Sequence, residues 1–416
     1  MQQRILVHDY SGHAFQPQLS RRLAARGHEV LHVYSQSVQI PQGALKKTDR
    51  DPLTLQFDGI RLSAVINKQA YLKRYFQERA YGRLLEDKIR RFRPDVVISS
   101  STPLDAQASA VKASKAMDAR FVFWLQDIQG IAIDRLLGAR FNGMGSIIGR
   151  YYTAIEKRLL RQSDAVVAIT DDFRSILTRW GVEQSAINVI PNWAPIEDLP
   201  PRPKDNPWAR AHGLADKTCF LYSGTLGLKH NADLLLKLGI AYRDQPGVAI
   251  VVVSEGRKAE WLKSEQARLG LSGLHVLPFQ PYEQLPDVMG SADVLVAILD
   301  SDAGLYSVPS KVLAYHCAAR PVLLSVPGDN LAASIVRDCK SGAVVDPADV
   351  TGFLKAAEEL LSSATRREEL GKNALRYAQT NFDLDRITDR FEALFASLAS
   401  GEVSGEFEHE VAHERT

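Results

Sequence analysis

The chain has 416 residues, 45% hydrophobic and 24% charged, a balance that excludes a disordered or fibrous polymer. Its length exceeds what one core usually organises, so two domains are expected. The net charge of +2 hides an asymmetry: residues 1–200 carry 28 Lys/Arg against 20 Asp/Glu, and the remainder 23 against 29, so only the first half is expected to face something anionic.

The start, Met1-Gln2-Gln3-Arg4, runs straight into a strand pattern and does not read as a signal peptide. No apolar run approaches the roughly 18 residues of a bilayer span. The three cysteines, Cys219, Cys317 and Cys339, have no metal-ligand spacing, and their odd number argues against a disulfide framework. A cytosolic protein is expected.

In chain order, the pattern predicts a strand at Arg4 to His8, a helix from Gln16 to Arg26 and a strand at Glu29 to Tyr34. A long basic helix, about 69–93, leads into a strand at Asp95 to Ser99. A helix at Pro103 to Met117, a strand at Arg120 to Leu125, a helix near 145–161 and strands at Ala165 to Ile169 and Asn188 to Ile190 follow. Six prolines between Pro191 and Pro207 mark a linker, because proline opposes helix and central strand alike. The alternation then restarts, with strands expected at Cys219 to Tyr222, Val248 to Val253, Leu274 to Leu277, Val294 to Ile298, Val322 to Leu324 and Ala343 to Val345. Apolar strands alternating with amphipathic helices predict parallel sheets covered on both faces, so the fold class is α/β with two doubly wound sheets. Ile387, Phe391, Leu394, Phe395 and Leu398 recur at helical spacing and predict a final helix at 383–399, before a solvated, mobile tail at 400–416.

Doubly wound sheets bind ligands beyond the carboxyl ends of their strands. The first strand ends in His8-Asp9-Tyr10-Ser11-Gly12-His13, where Gly12 permits close backbone approach and His13 offers a polar contact. The strand from Arg120 ends in Gln126-Asp127; a carboxylate there either caps the next turn or faces a cleft and holds a hydroxyl. In the second half, Ser223-Gly224-Thr225-Leu226-Gly227-Leu228-Lys229 reads as a tight turn with a surface lysine or as a phosphate-holding turn. Further on, Tyr306-Ser307-Val308-Pro309-Ser310-Lys311 opens a helix whose first N–H groups suit a diphosphate, and two lysines at two such junctions favour the phosphate reading. Asp300-Ser301-Asp302 is a possible divalent-metal pair, but with lysines and a helix end at hand no metal is expected. The chain lacks G-x-G-x-x-G after its first strand, and it lacks G-x-x-x-x-G-K-[ST], G-x-S-x-G and H-E-x-x-H, so phosphate-loop, serine-hydrolase and zinc-protease chemistry have no support. No nucleic-acid reading motif is present either.

The segments GHAFQPQLSRRLAARGHEV, FWLQDI, SDAVVAIT, VIPNWAP, FLYSGTLGLKHNADLLL, LPFQPYEQLPDVMGSADVLVAIL and VPSKVLAYHCAARPVL together resemble family 4 of the retaining nucleotide-sugar glycosyltransferases, of the two-Rossmann GT-B type. Within it they are similar to the colanic-acid-type subset that builds bacterial exopolysaccharide and O-antigen. The resemblance covers nearly the whole chain. It implies an acceptor domain at 1–190 on which the final helix packs, a linker at 191–216, and a nucleotide-sugar domain at 217–382. It also implies that Gly224, Thr225, Lys229, Ser310 and Lys311 meet the phosphates, with Tyr306 and Ser307 in the same substrate-binding loop. Phe279 and Gln280 would lie near the base, Gly12 and His13 near the transferred sugar, and Asp127 in the catalytic set beside Lys229 and Lys311.

Four positions depart from the family's pattern. Gln126 stands where a histidine usually precedes the aspartate, Thr225 replaces an arginine, and the usual glutamate pair falls on Ala314 and near Gly304 or Tyr306. A metal-independent, retaining transfer by front-face displacement is what the resemblance implies, with no cofactor and a lipid-linked saccharide as acceptor. A non-catalytic sugar-nucleotide-binding subunit and a sugar-nucleotide epimerase are the alternatives. The basic helix interleaves Lys68, Lys73, Arg74, Arg79, Arg83, Lys88, Arg90, Arg91 and Arg93 with Tyr71, Tyr75, Phe76 and Tyr81. It reads either as a solvated face or as a peripheral attachment to the anionic inner-membrane surface.

Overall fold

The computed structural model describes residues 2–38, 42–64, 71–138, 144–227, 229–301 and 310–401. Two parallel sheets organise them. The first has seven strands, β1 (Arg4–Asp9), β2 (Glu29–Ser35), β3 (Leu55–Ile60), β4 (Val96–Ser100), β5 (Arg120–Leu125), β6 (Ala165–Ala168) and β7 (Ile187–Val189). Their spatial order is β3-β2-β1-β4-β5-β6-β7. The second has six, β8 (Thr218–Ser223), β9 (Val248–Val253), β10 (Leu274–Leu277), β11 (Val294–Ile298), β12 (Val322–Ser325) and β13 (Gly342–Val345), in the order β10-β9-β8-β11-β12-β13. The central strands are buried along almost their whole length, as in Ile5-Leu6-Val7, Val96-Val97-Ile98 and Leu295-Val296-Ala297. Only helices on both faces can cover such strands.

The strand order reverses between β1 and β4 in the first sheet and between β8 and β11 in the second. At these switch points adjacent loops run to opposite faces and leave a crevice.

β3 is absent from the sequence reading. Its sequence, LQFDGI, alternates weakly and contains Asp-Gly, a turn signal. In the fold it is an edge strand: Asp58 pairs with Lys88, and a Cβ on Gly59 would sit 2.3 Å from the Gln36 side chain. The stretch after Pro191 is more ordered than its prolines suggest. Asn206 caps the helix Pro207–Ala211, accepting from Ala209 N at 2.9 Å, and its amide also donates to Asp287 O at 2.9 Å.

The basic helix spans Tyr71–Phe92 and buries Glu78, Tyr81, Leu85, Ile89 and Phe92 along one face. Lys68 lies outside the described residues. The final helix, Leu384–Ser400, is capped by Asp383 and crosses back to the first sheet's layer. There Arg26 reaches Asp385 (2.8 Å), Asp389 (2.5 Å) and Glu392 (2.5 Å), and Phe391 packs 5.0 Å from Trp124.

Candidate active site

A cavity of about 290 Å³ lies where the two sheets' strand ends face each other. Its lining follows the topology. Tyr10, Ser11 and His13 come after β1, Ser101 and Pro103 after β4, Gln126, Asp127 and Gln129 after β5, and Ile169 after β6. Asn192 follows β7, and the second half contributes Lys229 and Ser310.

On the first side, the buried Asp9 carboxylate organises the loop after β1. It accepts from Ser11 N at 3.0 Å, from His13 N, and from His13 Nδ1 at 3.3 Å. Gln16 donates to it at 2.8 Å and accepts from Ser100 Oγ at 2.6 Å, the amide orientation that pairs both ends. Burial alone would raise the Asp9 carboxyl, but the His13 charge and hydrogen bonds outweigh it and hold it below 3.8. Burial likewise works to lower the His13 imidazole; Asp9, joined by Asp127, outweighs it and raises it above 6.5. His13 keeps 36% of its side chain exposed, toward the cavity.

Gly12 has φ +75°, a conformation that favours glycine. A Cβ there would meet Gln42 Nε2 at 2.7 Å and Leu45 at 2.9 Å. What the structure shows the missing side chain accommodating is therefore the 42–45 loop, and Gly12 does not line the cavity.

Of the two roles open to Asp127, capping is excluded. The N–H groups of Gln129 and Gly130, which begin the helix Gln129–Gly138, go to Glu156 at 2.9 and 2.7 Å. Asp127 lines the cavity instead. Beside it, Gln126 and Asn192 form a reciprocal amide pair, at 2.6 Å and 3.2 Å. Asn192 escaped sequence reasoning although VIPNWAP contains it; a lone asparagine beside a proline reads as a turn.

On the second side the turn after β8 is stapled by side chains. Tyr222 Oη donates to Thr225 O at 2.9 Å, Leu226 N to Ser254 Oγ at 3.1 Å, and Gly227 N to His230 Nδ1 at 3.0 Å. The last bond requires a neutral imidazole protonated at Nε2. Burial, then Lys311 and Lys229, push His230 down to about 3, which keeps it neutral.

Gly224 has φ +125°, and a Cβ on it would stand 3.1 Å from Lys311 Nζ. The lysine therefore occupies the space that a larger residue would fill. Its buried nitrogen lies 3.5 Å from the centre of the Tyr222 ring and has no hydrogen-bond partner among the described residues. Burial, then the Lys229 charge, lower its pKa well below 10.5. The Lys229 charge thus acts on the Lys311 nitrogen. Lys229 and Ser310 line the cavity, whereas Lys311, Gly224 and Thr225 lie behind its wall and do not line it.

Other expected residues are not gathered there. Phe279 and Gln280 follow the edge strand β10 and do not line the cavity. Phe279 N donates to Glu255 at 3.1 Å, and Gln280 Oε1 accepts from Trp208 Nε1 at 3.0 Å. Tyr306 and Ser307, like Gly304 and Asp302, lie outside the described residues.

Two family patterns match in tandem: the glycosyl transferase 4-like domain over residues 13–193 and the glycosyl transferases group 1 domain over residues 205–377. The chain belongs to the family 4 glycosyltransferases. Among curated relatives it is 27% identical to WcaI of Escherichia coli K12, a candidate colanic acid biosynthesis glycosyl transferase, over 54% of this chain and 55% of that one. The chain thus spans about half the length of the curated relatives it matches. The fold matches sucrose-phosphate synthase from Thermosynechococcus elongatus, with TM-score 0.72, 16% identity and coverage of 96% and 100% of the two chains. It also matches Anabaena HepE in complex with UDP and glucose, with TM-score 0.69, 16% identity and coverage of 95% and 100%. The family 4 glycosyltransferase therefore has the GT-B architecture, with its cavity between the two sheets.

Proposed function

We propose that the protein transfers a sugar from a nucleotide diphosphate sugar to a saccharide acceptor, with retention of configuration and without a metal ion. The observation that carries this is Lys311. A buried lysine nitrogen with no hydrogen-bond partner among the described residues is costly, and a diphosphate is the ligand that would repay the cost and hold it protonated. Lys229, on the cavity wall, adds a second charge that acts on the Lys311 nitrogen. A structural relative was captured with UDP and glucose, which supports a sugar nucleotide as donor.

In this reading the acceptor hydroxyl attacks the anomeric carbon on the face the diphosphate leaves. The C–O bond to the phosphate breaks, and the leaving oxygen takes the acceptor proton. Stabilising the charge that develops on that oxygen is then the main catalytic task, and Lys229 and Lys311 perform it. Asp127 and His13 hold hydroxyls of the transferred sugar from the opposite wall.

A lipid-linked acceptor and a peripheral position on the inner membrane complete the reading. Lys73, Arg83, Arg91 and Arg93 are exposed along the basic helix and its end, and Phe76 on the same helix is 61% exposed. Ile147, Ile148 and Tyr151, on the helix Met144–Gln162, are also exposed. Basic residues among exposed apolar ones suit an anionic lipid surface. No helix among the described residues is long and apolar enough to cross a membrane.

A panel of UDP-, GDP- and dTDP-sugars tests the reading by nucleotide release and by the anomeric configuration of the product. Turnover of at least one, with retention, is expected. Binding without turnover would favour the non-catalytic subunit, to which the Ala314 substitution already points, and epimerised donor would favour the epimerase.

A further inference from the structure

We propose that Glu156 is a positioning residue of the cleft: its carboxylate holds the turn at 126–130 and, through it, sets Gln126 and Asp127 against the bound sugar. The assignment rests on reading the cleft as a sugar-nucleotide site.

Glu156 lies 27 residues beyond Gln129 in sequence, on the helix Met144–Gln162, and is fully buried. Each of its oxygens takes one backbone N–H of the turn, Oε1 from Gln129 and Oε2 from Gly130. Gly130 makes the approach possible, since a Cβ there would lie 2.7 Å from Thr153 Cα and 2.9 Å from Glu156 Oε2. The Gln129 side chain ties the same turn to the loop after β4, donating to Thr102 O at 2.8 Å. The neighbouring residue of that loop, Ser101, lines the cavity.

Other helices of the chain show what is unusual here. Asn206, Asn330, Asp349, Ser363 and Asp383 each cap their own helix from the adjoining position. The helix Gln129–Gly138 has a carboxylate two residues before it, Asp127, and does not use it. Its acceptor comes from another helix, which leaves Asp127 to face the cavity. An amide in place of Glu156 has one acceptor oxygen, and its NH₂ would oppose the second N–H.

Three variants, Glu156→Gln, Asp127→Ala and the double variant, test this with two readouts. The first is amide exchange of the segment 124–131 in the full chain. Glu156→Gln is expected to speed exchange there by about tenfold or more, the equivalent of one lost charge-assisted bond, while other segments stay unchanged. The second is hydrolysis of whichever panel sugar nucleotide the wild type turns over fastest. Glu156→Gln is expected to slow it about tenfold with nucleotide affinity kept within about twofold, and the double variant to be no slower than Asp127→Ala alone, because a residue acting through another is non-additive with it. Unchanged exchange at 124–131, or losses that multiply in the double variant, would overturn the proposal. A wild type that neither binds nor hydrolyses any sugar nucleotide would instead refute the reading of the cleft, and the exchange result would still decide what Glu156 holds.

Discussion

Lys311 is the residue at which cost and use are most visibly opposed. Its nitrogen is buried against Tyr222, beside Gly224, and is repelled by Lys229. Replacing it by methionine keeps the volume and removes the charge. Lys311→Met is therefore expected to stabilise the ligand-free protein by about 1–2 kcal/mol, seen as a raised Tm, and to weaken nucleotide binding at least about tenfold. A variant that loses stability and keeps its affinity would remove the lysine from the site. Lys229→Ala is expected to lower turnover by about 10²-fold or more, the scale of losing one donor to a developing oxyanion, as measured by initial rates with saturating donor. Both lysines were legible because they stand at strand-to-helix junctions. Asn192 and Glu156 were not, since their partners Gln126, Gln129 and Gly130 are brought close only by the fold, and His230 was not, since a histidine three residues past a glycine carries no distinctive signal.

At the scale of elements, Glu156 couples the turn at 126–130 to pH. Burial pushes its carboxyl up from 4.5 to about 7, against the pull of the Gln129 and Gly130 N–H groups and with a further push from Asp127. A raised folded value means stability that is fully present below about pH 4.5 and is lost as pH rises through about 7. Chemical denaturation at several pH values is expected to show that loss in the wild type, on the order of 3 kcal/mol, and no such slope from this site in Glu156→Gln. A wild-type slope that survives the substitution would assign it elsewhere. The same scale explains which elements the sequence disclosed. Central strands such as Val248–Val253 are continuous apolar runs and announce themselves. β3 at the edge pairs on one side only, tolerates Asp58 and Gly59, and so resembles a turn until its partner β2 is in place. Phe279 and Gln280 come from the resemblance; the bond from Trp208 to the Gln280 side chain, across 72 residues, is one that no local pattern encodes.

Across the whole molecule, the final helix fastens the end of the chain to the layer of the first sheet. Arg26 gathers three carboxylates from it, while His28 meets Glu392 at 2.9 Å. Asp385 and Asp389 are more than half exposed, so Arg26→Ala is expected to cost only about 1–2 kcal/mol, measured by denaturant titration. The aromatic contacts of Phe391 with Trp124 and Trp193 carry more of the attachment. That attachment matters because Trp124 also lines the cavity, so the helix, the first layer and the cleft floor form one packed unit. Vesicle co-sedimentation is expected to show a preference for anionic over neutral lipid that weakens with salt; equal partitioning would detach the basic helix from any membrane role. The most direct measurement is calorimetric titration of UDP, GDP and dTDP into the wild type, Lys229→Ala and Lys311→Met. The wild type should bind at least one of them, and each variant should lose about tenfold or more in affinity for it. Binding of equal strength in all three proteins, or none in the wild type, would contradict a diphosphate held between the two lysines.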